Sequence, residues 1–406
     1  MLKKVLRLMD LLFCDILLLV LSLFIRRDNN RIAIGSWCGE RYADNSKYLA
    51  EYISSHYPTK KIYWVGNNNL RKEVVGNLKN VEFLAINTFK ANTKLLTCKY
   101  MFFTQMHTAD ISRYYVYRKA VLCYLHHGMP IKKWGQDGLN QKISINNPLK
   151  KAYFHINGFY KPYDYFVTSS PLHDKTNCTA LSMHRCTMDK NIHSGTPRND
   201  IYFCNLMKNT FKYKNKYSNL LHFSVEKKIV MYLPTYRRKS DSVFSFSLLD
   251  EQKKEQIISL LKKWNAVLVE KSHVAEKTKI DAHVDENIIF ADCRMNVQEM
   301  MYFADVLISD YSGAFLDYLM LDRPIIHFAY DYEYYKNVDS GLYYDIDDFS
   351  AGPVVEDYDD LLYELNSFLS GKDEWKKKRA YVKKKYMTYE KGRASEEIIK
   401  RVLNMR

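Results

Sequence analysis

The 406-residue chain lacks several things, and each absence bears on what it can do. Its eight cysteines (Cys14, Cys38, Cys98, Cys123, Cys178, Cys186, Cys204 and Cys293) form no C-x-x-C pair, which leaves a structural zinc site without support. Scattered through the chain, several inside apolar runs, they read as reduced thiols used as small hydrophobes. No RNP, zinc-finger or basic-zipper pattern occurs, which argues against a nucleic-acid partner. There is no low-complexity tract and no internal repeat, and 47% hydrophobic with 26% charged residues is a globular composition. Acid is scarce relative to base. Against 61 Lys+Arg stand 46 Asp+Glu, a formal charge of +15, which favours an anionic partner: nucleic acid, an acidic membrane surface or a phosphate-bearing substrate. The 33 tyrosines read as composition bias first and ligand contacts second.

A long clean apolar run is also missing. The N-terminal "MLKKVLRLMDLLFCDILLLVLSLFIRR" is strongly apolar between basic flanks, but Asp10 and Asp15 leave only Ile16 to Ile25 clean, short of the roughly 20 residues a spanning helix needs. It runs into Arg26-Arg27-Asp28 without a small-residue cleavage site, unlike a secretory signal. A helix lying in the membrane interface, basic residues at anionic headgroups, fits best. A single span and a buried core helix are the other readings.

What is present is alternation. Candidate strands at 31–37, 61–66, 81–86, 99–104, 120–125 and 164–170, then 228–235, 266–272, 287–292, 305–310 and 324–330, are separated by helical patterns such as 45–56 and 248–264. This describes an α/β protein with two parallel, doubly wound sheets, consistent with the length. The expected boundaries are an anchoring helix at 1–30, a first domain at 31–205 and a second at 206–406, the break falling in the polar stretch after Gly195 and Pro197. The two domains are expected to face one cleft.

Ligands of such sheets sit beyond the carboxyl ends of the strands. In the second half those ends read Tyr236-Arg237-Arg238, Lys271-Ser272-His273 and Ser309-Asp310-Tyr311-Ser312-Gly313. Two are basic, and the third is a strand-to-helix turn suited to a phosphate. Alone, the arginines read more readily as solvated surface and Ser312 as a helix cap; together they point to a diphosphate site. Asp310 lacks the second carboxylate of a D-x-D pair, so no metal is expected. In the first half, "VLCYLHHGMPIKKWGQDG" ends a strand in His126-His127-Gly128. Either histidine alone reads equally as a buried, hydrogen-bonded residue. Gly128 permits close backbone approach, imidazole can take a hydroxyl proton near neutral pH, and Lys132 and Lys133 can hold acceptor phosphates.

"LHHGMPIKK" resembles the HGTP-L-K motif of the CDP-glycerol glycerophosphotransferase family of teichoic-acid and capsule enzymes. "GTPRND", "YLPTYRR", "VEKSHV", "DVLISDYSGAFLDYLMLDRPIIHFAYD" and "GLYYDIDDFSAGPVV" follow in order. The resemblance runs from about Ile32 to the C-terminus and implies a GT-B-like fold. It implies transfer of a polyol phosphate, most simply glycerol phosphate, from a CDP-polyol to a hydroxyl of a lipid-linked (polyprenyl diphosphate) saccharide, releasing CMP, at the cytoplasmic membrane face and without a cofactor. Matched residue by residue, His127 is the base. His273 joins it among the catalytic residues and faces the donor phosphates with Arg237 or Arg238. Lys271, Ser309, Asp310, Ser312 and Gly313 line the donor side, and Gly128, Lys132, Gly195, Pro197 and Arg198 the cleft and acceptor side. Met129, Val274 and Gly313 depart from the motif and leave glycerol, ribitol or another alcohol open. A nucleotide-sugar glycosyltransferase and a catalytically silent membrane scaffold are the competing functions. The bare catalytic length without added modules leans towards a primase or short-chain enzyme.

Overall fold

The computed structural model describes residues 2–138, 151, 154–235, 237, 244–271, 283–339 and 341–404. The chain forms two compact units, one of Met1–His127, Gln141–Asp200 and Tyr389–Arg406, the other of Gly128–Asn140 and Ile201–Thr388.

The first unit holds a seven-stranded sheet: β1 (Asp28–Gly35), β2 (Lys61–Gly66), β3 (Val81–Ala85), β4 (Cys98–Phe103), β5 (Val121–Tyr124), β6 (Tyr165–Val167) and β7 (Asn191–Ile192). All pairings are parallel, in the order β3-β2-β1-β4-β5-β6-β7. The second contains β8 (Lys228–Leu233), β9 (Ala266–Glu270), β10 (His283–Asp285), β11 (Ile288–Phe290), β12 (Val306–Ser309), β13 (Ile325–Phe328) and β14 (Val354–Val355). Its order is β10-β11-β9-β8-β12-β13-β14, with only the edge pair β10–β11 antiparallel. Strand order reverses between β1 and β4 and between β8 and β12, and crevices for ligands open at such points beyond the carboxyl ends. Strands β7, β10 and β14 were not expected from the sequence; two or three residues are too few for an apolar period to show.

Each sheet is buried on both faces by helices, which is why its strands read as continuous apolar runs. In the first unit Ile32, Ile34, Trp64 and Phe102 pack with Leu49 and Ile53 of the helix Asp44–His56. In the second Val230, Leu268 and Ile308 pack with Ile257 and Leu261 of the helix Glu251–Lys263. Gly352 lies where a Cβ would stand 1.7 Å from the Ile325 carbonyl oxygen, so backbone approach admits only glycine there.

The chain changes units more often than the expected 31–205 and 206–406 division. The last helix, Ala394–Leu403, returns to the first unit because Ile398, Ile399, Val402 and Leu403 belong to that core. The Asp200 carboxylate accepts the N–H groups of Ala394 and Ser395 at its start. Gly128–Asn140 joins the second unit, with Lys132 bridging Leu342, the Lys133 N–H donating to Gly341 O and the Tyr343 N–H to Ile131 O.

The N-terminal helix Leu2–Phe24 is part of the first unit, not a separate 1–30 segment, and among the described residues no helix is long and apolar enough to cross a membrane. It packs by its polar side: Asp15 and Ser22 are buried together with Leu18, while Phe13, Ile16, Val20, Leu23 and Phe24 are exposed. Asp15 accepts the Tyr115 N–H at 2.7 Å, and Arg118 donates to the Ser22 carbonyl. Burial pushes the Asp15 carboxyl up to about 6, against the opposing pulls of the Tyr115 N–H and Arg113. A group raised in the folded state contributes stability below its unfolded pKa, and this contribution is lost as pH rises through the folded value. Asp15→Asn should therefore be more stable than wild type above about pH 6 and close to it near pH 4. Thermal unfolding against pH checks this.

Candidate active site

In the first unit polar residues gather at the carboxyl ends of β1, β4 and β5. At the β1/β4 reversal Asp110 is fully buried and accepts the N–H groups of Cys38, Thr104 and Gln105. Desolvation raises its pKa, and those three N–H groups oppose the rise. The Ser36 and Thr104 hydroxyls meet beside it at 3.4 Å.

The loop after β5 is clamped from two other segments. Asn45, at the start of the helix Asp44–His56, donates from Nδ2 to the carbonyls of Leu125 at 3.1 Å and His126 at 2.8 Å. Arg198 donates from one nitrogen to Asp44 and to the His127 carbonyl, each at 2.8 Å, while its own N–H reaches the Asn45 Oδ1. The resulting loop buries His126 and leaves His127 exposed. The His127 Nδ1 lies 3.5 Å from the Thr104 carbonyl. A proton on Nδ1 directed there leaves Nε2 as the basic nitrogen.

Gly195 and its neighbours support this loop. Gly195 adopts φ +77°, and a Cβ there would stand 2.6 Å from the Glu390 carboxylate. The same carboxylate accepts both the N–H and the hydroxyl of Thr196 at 3.0 Å. Pro197 opens the 3-10 turn Pro197–Phe203 that delivers Arg198. Of the expected cleft residues, then, Arg198 acts on the histidine loop directly, while Gly195 and Pro197 act through backbone shape. Gly128, at φ +114°, leads out of the loop, and Lys132 lies on the second-unit bridge already described.

The second-unit crevice at the β8/β12 reversal is organised by Asp310. Fully buried, it accepts the N–H groups of Thr235 and Ser312 and an ion pair from Arg237. Arg237 also grips Asp331 with two nitrogens, at 2.8 and 3.0 Å, among the rings of Tyr311, Tyr330 and Tyr335. Its side chain has no exposure. This corrects the phosphate contact expected of Arg237: two carboxylates occupy the guanidinium, and its work is to lock the ends of β8, β12 and β13 together. Ser309 is likewise internal, its hydroxyl donating to the Leu233 carbonyl, and Lys271 is buried with Nζ on the Cys293 carbonyl. His327 takes the Ala351 N–H on Nε2, so Nδ1 carries the proton donated to the Asp310 carbonyl; burial lowers its pKa to about 4.

Ser312 and Gly313 are partly exposed at the start of the five-residue helix Ala314–Tyr318. Beside them Thr235 is buried, and its hydroxyl has no hydrogen-bond partner among the described residues. Ser312 and Gly313 are the groups here that a ligand's oxygens can reach. Arg238 and His273, both expected to face the donor, lie outside the described residues. Among the described residues no cluster of three His, Cys, Asp or Glu side chains could hold a metal, and the Asp310 carboxylate is already engaged.

The sequence reading missed Asp44, Asn45, Thr104 and Asp110 in the first unit and Thr235 and Asp331 in the second. Most carry a usable signal, since they follow an apolar run or open a helix. The rule for strand ends finds Thr104, Asp331 and Thr235 when applied to every run in both halves.

Residues 17–404 match the model of the CDP-Glycerol:Poly(glycerophosphate) glycerophosphotransferase family. The chain is 27% identical, over 91% of its length and 92% of the other protein's, to the teichoic acid glycerol-phosphate transferase of Staphylococcus aureus. It is 22% identical, over 93% of its length and 92% of the other protein's, to the teichoic acid ribitol-phosphate primase of Bacillus spizizenii. The structure of the wall teichoic acid polymerase TagF superposes with a TM-score of 0.76 at 22% identity, covering 93% of this chain and 89% of that one.

Proposed function

From the chain's membership of the CDP-glycerol:poly(glycerophosphate) glycerophosphotransferase family, which makes it a CDP-polyol phosphotransferase, we propose that it transfers glycerol phosphate from CDP-glycerol to a hydroxyl of a lipid-linked saccharide, releasing CMP, at the cytoplasmic membrane face. The observation that carries this reading is the loop after β5, in which buried contacts from Asn45 and Arg198 present one exposed imidazole.

In this reading His127 Nε2 takes the proton of the acceptor hydroxyl as its oxygen attacks the β-phosphorus of the donor. The bond from that phosphorus to the bridging oxygen breaks, and the oxygen leaves with CMP. Ser312 and Gly313 offer hydrogen-bond donors to the donor phosphates, and the Asp310–Arg237–Asp331 lock keeps those donors fixed before charge develops. Arg238 and His273 join them on the strength of the family motif. Glycerol is put before ribitol on the length of the match: the glycerol-phosphate transferase is 27% identical over 91% of this chain, whereas ribitol-phosphate polymerases match at 26–28% over only 42–51% of it.

The test is CMP release by the purified protein with CDP-glycerol or CDP-ribitol and a lipid-linked disaccharide. CMP from CDP-glycerol supports the reading in full, and CMP from CDP-ribitol alone overturns the donor. UDP or GDP from a nucleotide sugar, with CMP from neither polyol donor, overturns the reaction class.

Membrane residence belongs to the same reading. An N-terminal helix that buries Asp15 and exposes Phe13, Ile16 and Val20 is inside-out for water and suits an acyl interface, with Arg26 exposed for headgroups. Ile16→Asp and Val20→Asp should each weaken co-sedimentation with phosphatidylglycerol vesicles by about tenfold or more, because burying such a side chain is worth roughly 1.5–3 kcal/mol. Undiminished sedimentation of both variants would remove this helix as the anchor.

A further inference from the structure

His126 differs from its neighbour in every physical respect. It is 1% exposed, so no substrate hydroxyl reaches it. Its backbone is left-handed, at φ +58°, a conformation that histidine, asparagine and aspartate adopt more readily than other side chains. Its Nδ1 accepts the N–H of His127 at 2.9 Å. In the neutral ring an accepting Nδ1 places the proton on Nε2. The ring lies flat against the His127 ring, centroids 4.6 Å apart and planes 17° apart, and the rings of His173, at 4.7 Å and 86°, and Tyr124, at 5.3 Å and 74°, meet it edge-on.

His173 is itself fixed. Its Nδ1 accepts the Ser169 N–H at the start of the helix Pro171–Ala180, and burial lowers its pKa to about 3, with His127 adding to the shift. It therefore stays neutral and gives the stack a rigid base. From β6 through His173 and His126 to His127, every ring is held by a hydrogen bond or by a packed neighbour.

We propose that His126 is a positioning residue for the transfer reaction: through the Nδ1 contact and the flat stack it sets the ring plane and backbone of His127, so that the basic nitrogen of His127 points at the acceptor hydroxyl. The inference rests on the reading of His127 as the base. Neither the family match nor the motif residues assign His126 this task.

The side chain of asparagine places Oδ1 at the same bond distance from the backbone as Nδ1 of histidine, and it tolerates positive φ. His126→Asn therefore keeps the accepting atom and loses the rest of the ring, whereas His126→Gly keeps the backbone freedom and loses both. In the CMP-release assay with CDP-glycerol, His126→Gly should lower kcat by about 10- to 100-fold, the size of a misplacement effect. The KM for CDP-glycerol should stay within about twofold, since a residue acting on orientation changes the chemical step and not donor affinity. His126→Asn should recover most of the lost kcat. Should the volume left by glycine unfold the protein, His126→Phe keeps the bulk without the acceptor and makes the same comparison.

A kcat for the glycine or phenylalanine variant within about twofold of wild type would overturn the proposal, as would an asparagine variant no better than glycine. His127→Ala, run alongside, separates the two levels. If it retains full activity, the reading of His127 as the base has failed. If it is inactive while the His126 variants behave as wild type, only the positioning role has failed.

Discussion

Replacing His127 by alanine is expected to lower CMP release by about 10²–10⁴-fold, the contribution of a positioned general base. The ring is exposed, and what holds the loop is backbone: the Leu125 and His126 carbonyls on Asn45 and the His127 carbonyl on Arg198. Truncating the side chain removes none of these, so the unfolding temperature should barely move. Donor affinity should hold as well, because the groups read as donor-binding lie on the other unit. The loss should appear in kcat with little change in the KM for CDP-glycerol, which marks an interaction made only as the reaction proceeds. His127→Gln, which fills similar space without a base, should be as inactive as alanine. Retained CMP release in both would show that His127 is not the base.

The largest stability effect is expected at Asp310. Its carboxylate and the Arg237 guanidinium are both fully buried, and the guanidinium is shared with Asp331. Removing the Asp310 carboxylate breaks this buried pair and leaves the guanidinium to Asp331 alone, at a cost of about 3 kcal/mol. Asp310→Ala also removes the acceptor for the Thr235 and Ser312 N–H groups, which stand next to the proposed donor contacts. The second unit should therefore melt roughly 10 °C lower, and the KM for the donor should rise at temperatures where the protein remains folded. Arg237→Lys should fail similarly, since an ammonium cannot reproduce the two-nitrogen grip on Asp331. The exposed pair Arg294–Asp292 supplies the contrast: Arg294→Ala should cost no more than about 1 kcal/mol. An Asp310→Ala protein as stable as the Arg294 variant would show that the lock does not hold the sheet ends together.

Much of the fold is legible in the order of the amino acids. The apolar runs at 61–66, 228–235 and 305–310 mark β2, β8 and β12 because a strand buried on both faces leaves an uninterrupted apolar signature. The helix at Asp44–His56 shows in the spacing of Tyr48, Leu49 and Ile53, all buried. The loop after β5 and the motif delivering Arg198 are also visible, because strand ends and their turns are local features of the chain. His127 stands out by its place at such an end.

Which polar groups meet is another matter. Arg237 and Arg238 follow β8 as a matched pair, and nothing in those two residues says that the first turns inward. That follows from Asp331, which the β13 crossover brings to Arg237 from 94 residues along the chain. Asn45 reaches the His126 carbonyl across 81 residues by the same kind of crossover. The N-terminal helix makes the point in reverse: its composition names an apolar segment, but only packing against Tyr115 and Arg118 decides that Asp15 goes inside and Ile16 outside. Hydrophobic periodicity is written locally, since each residue's burial follows from its neighbours three or four positions away. A hydrogen bond between strand ends has no local trace, because it depends on where separate crossovers deposit their last residues.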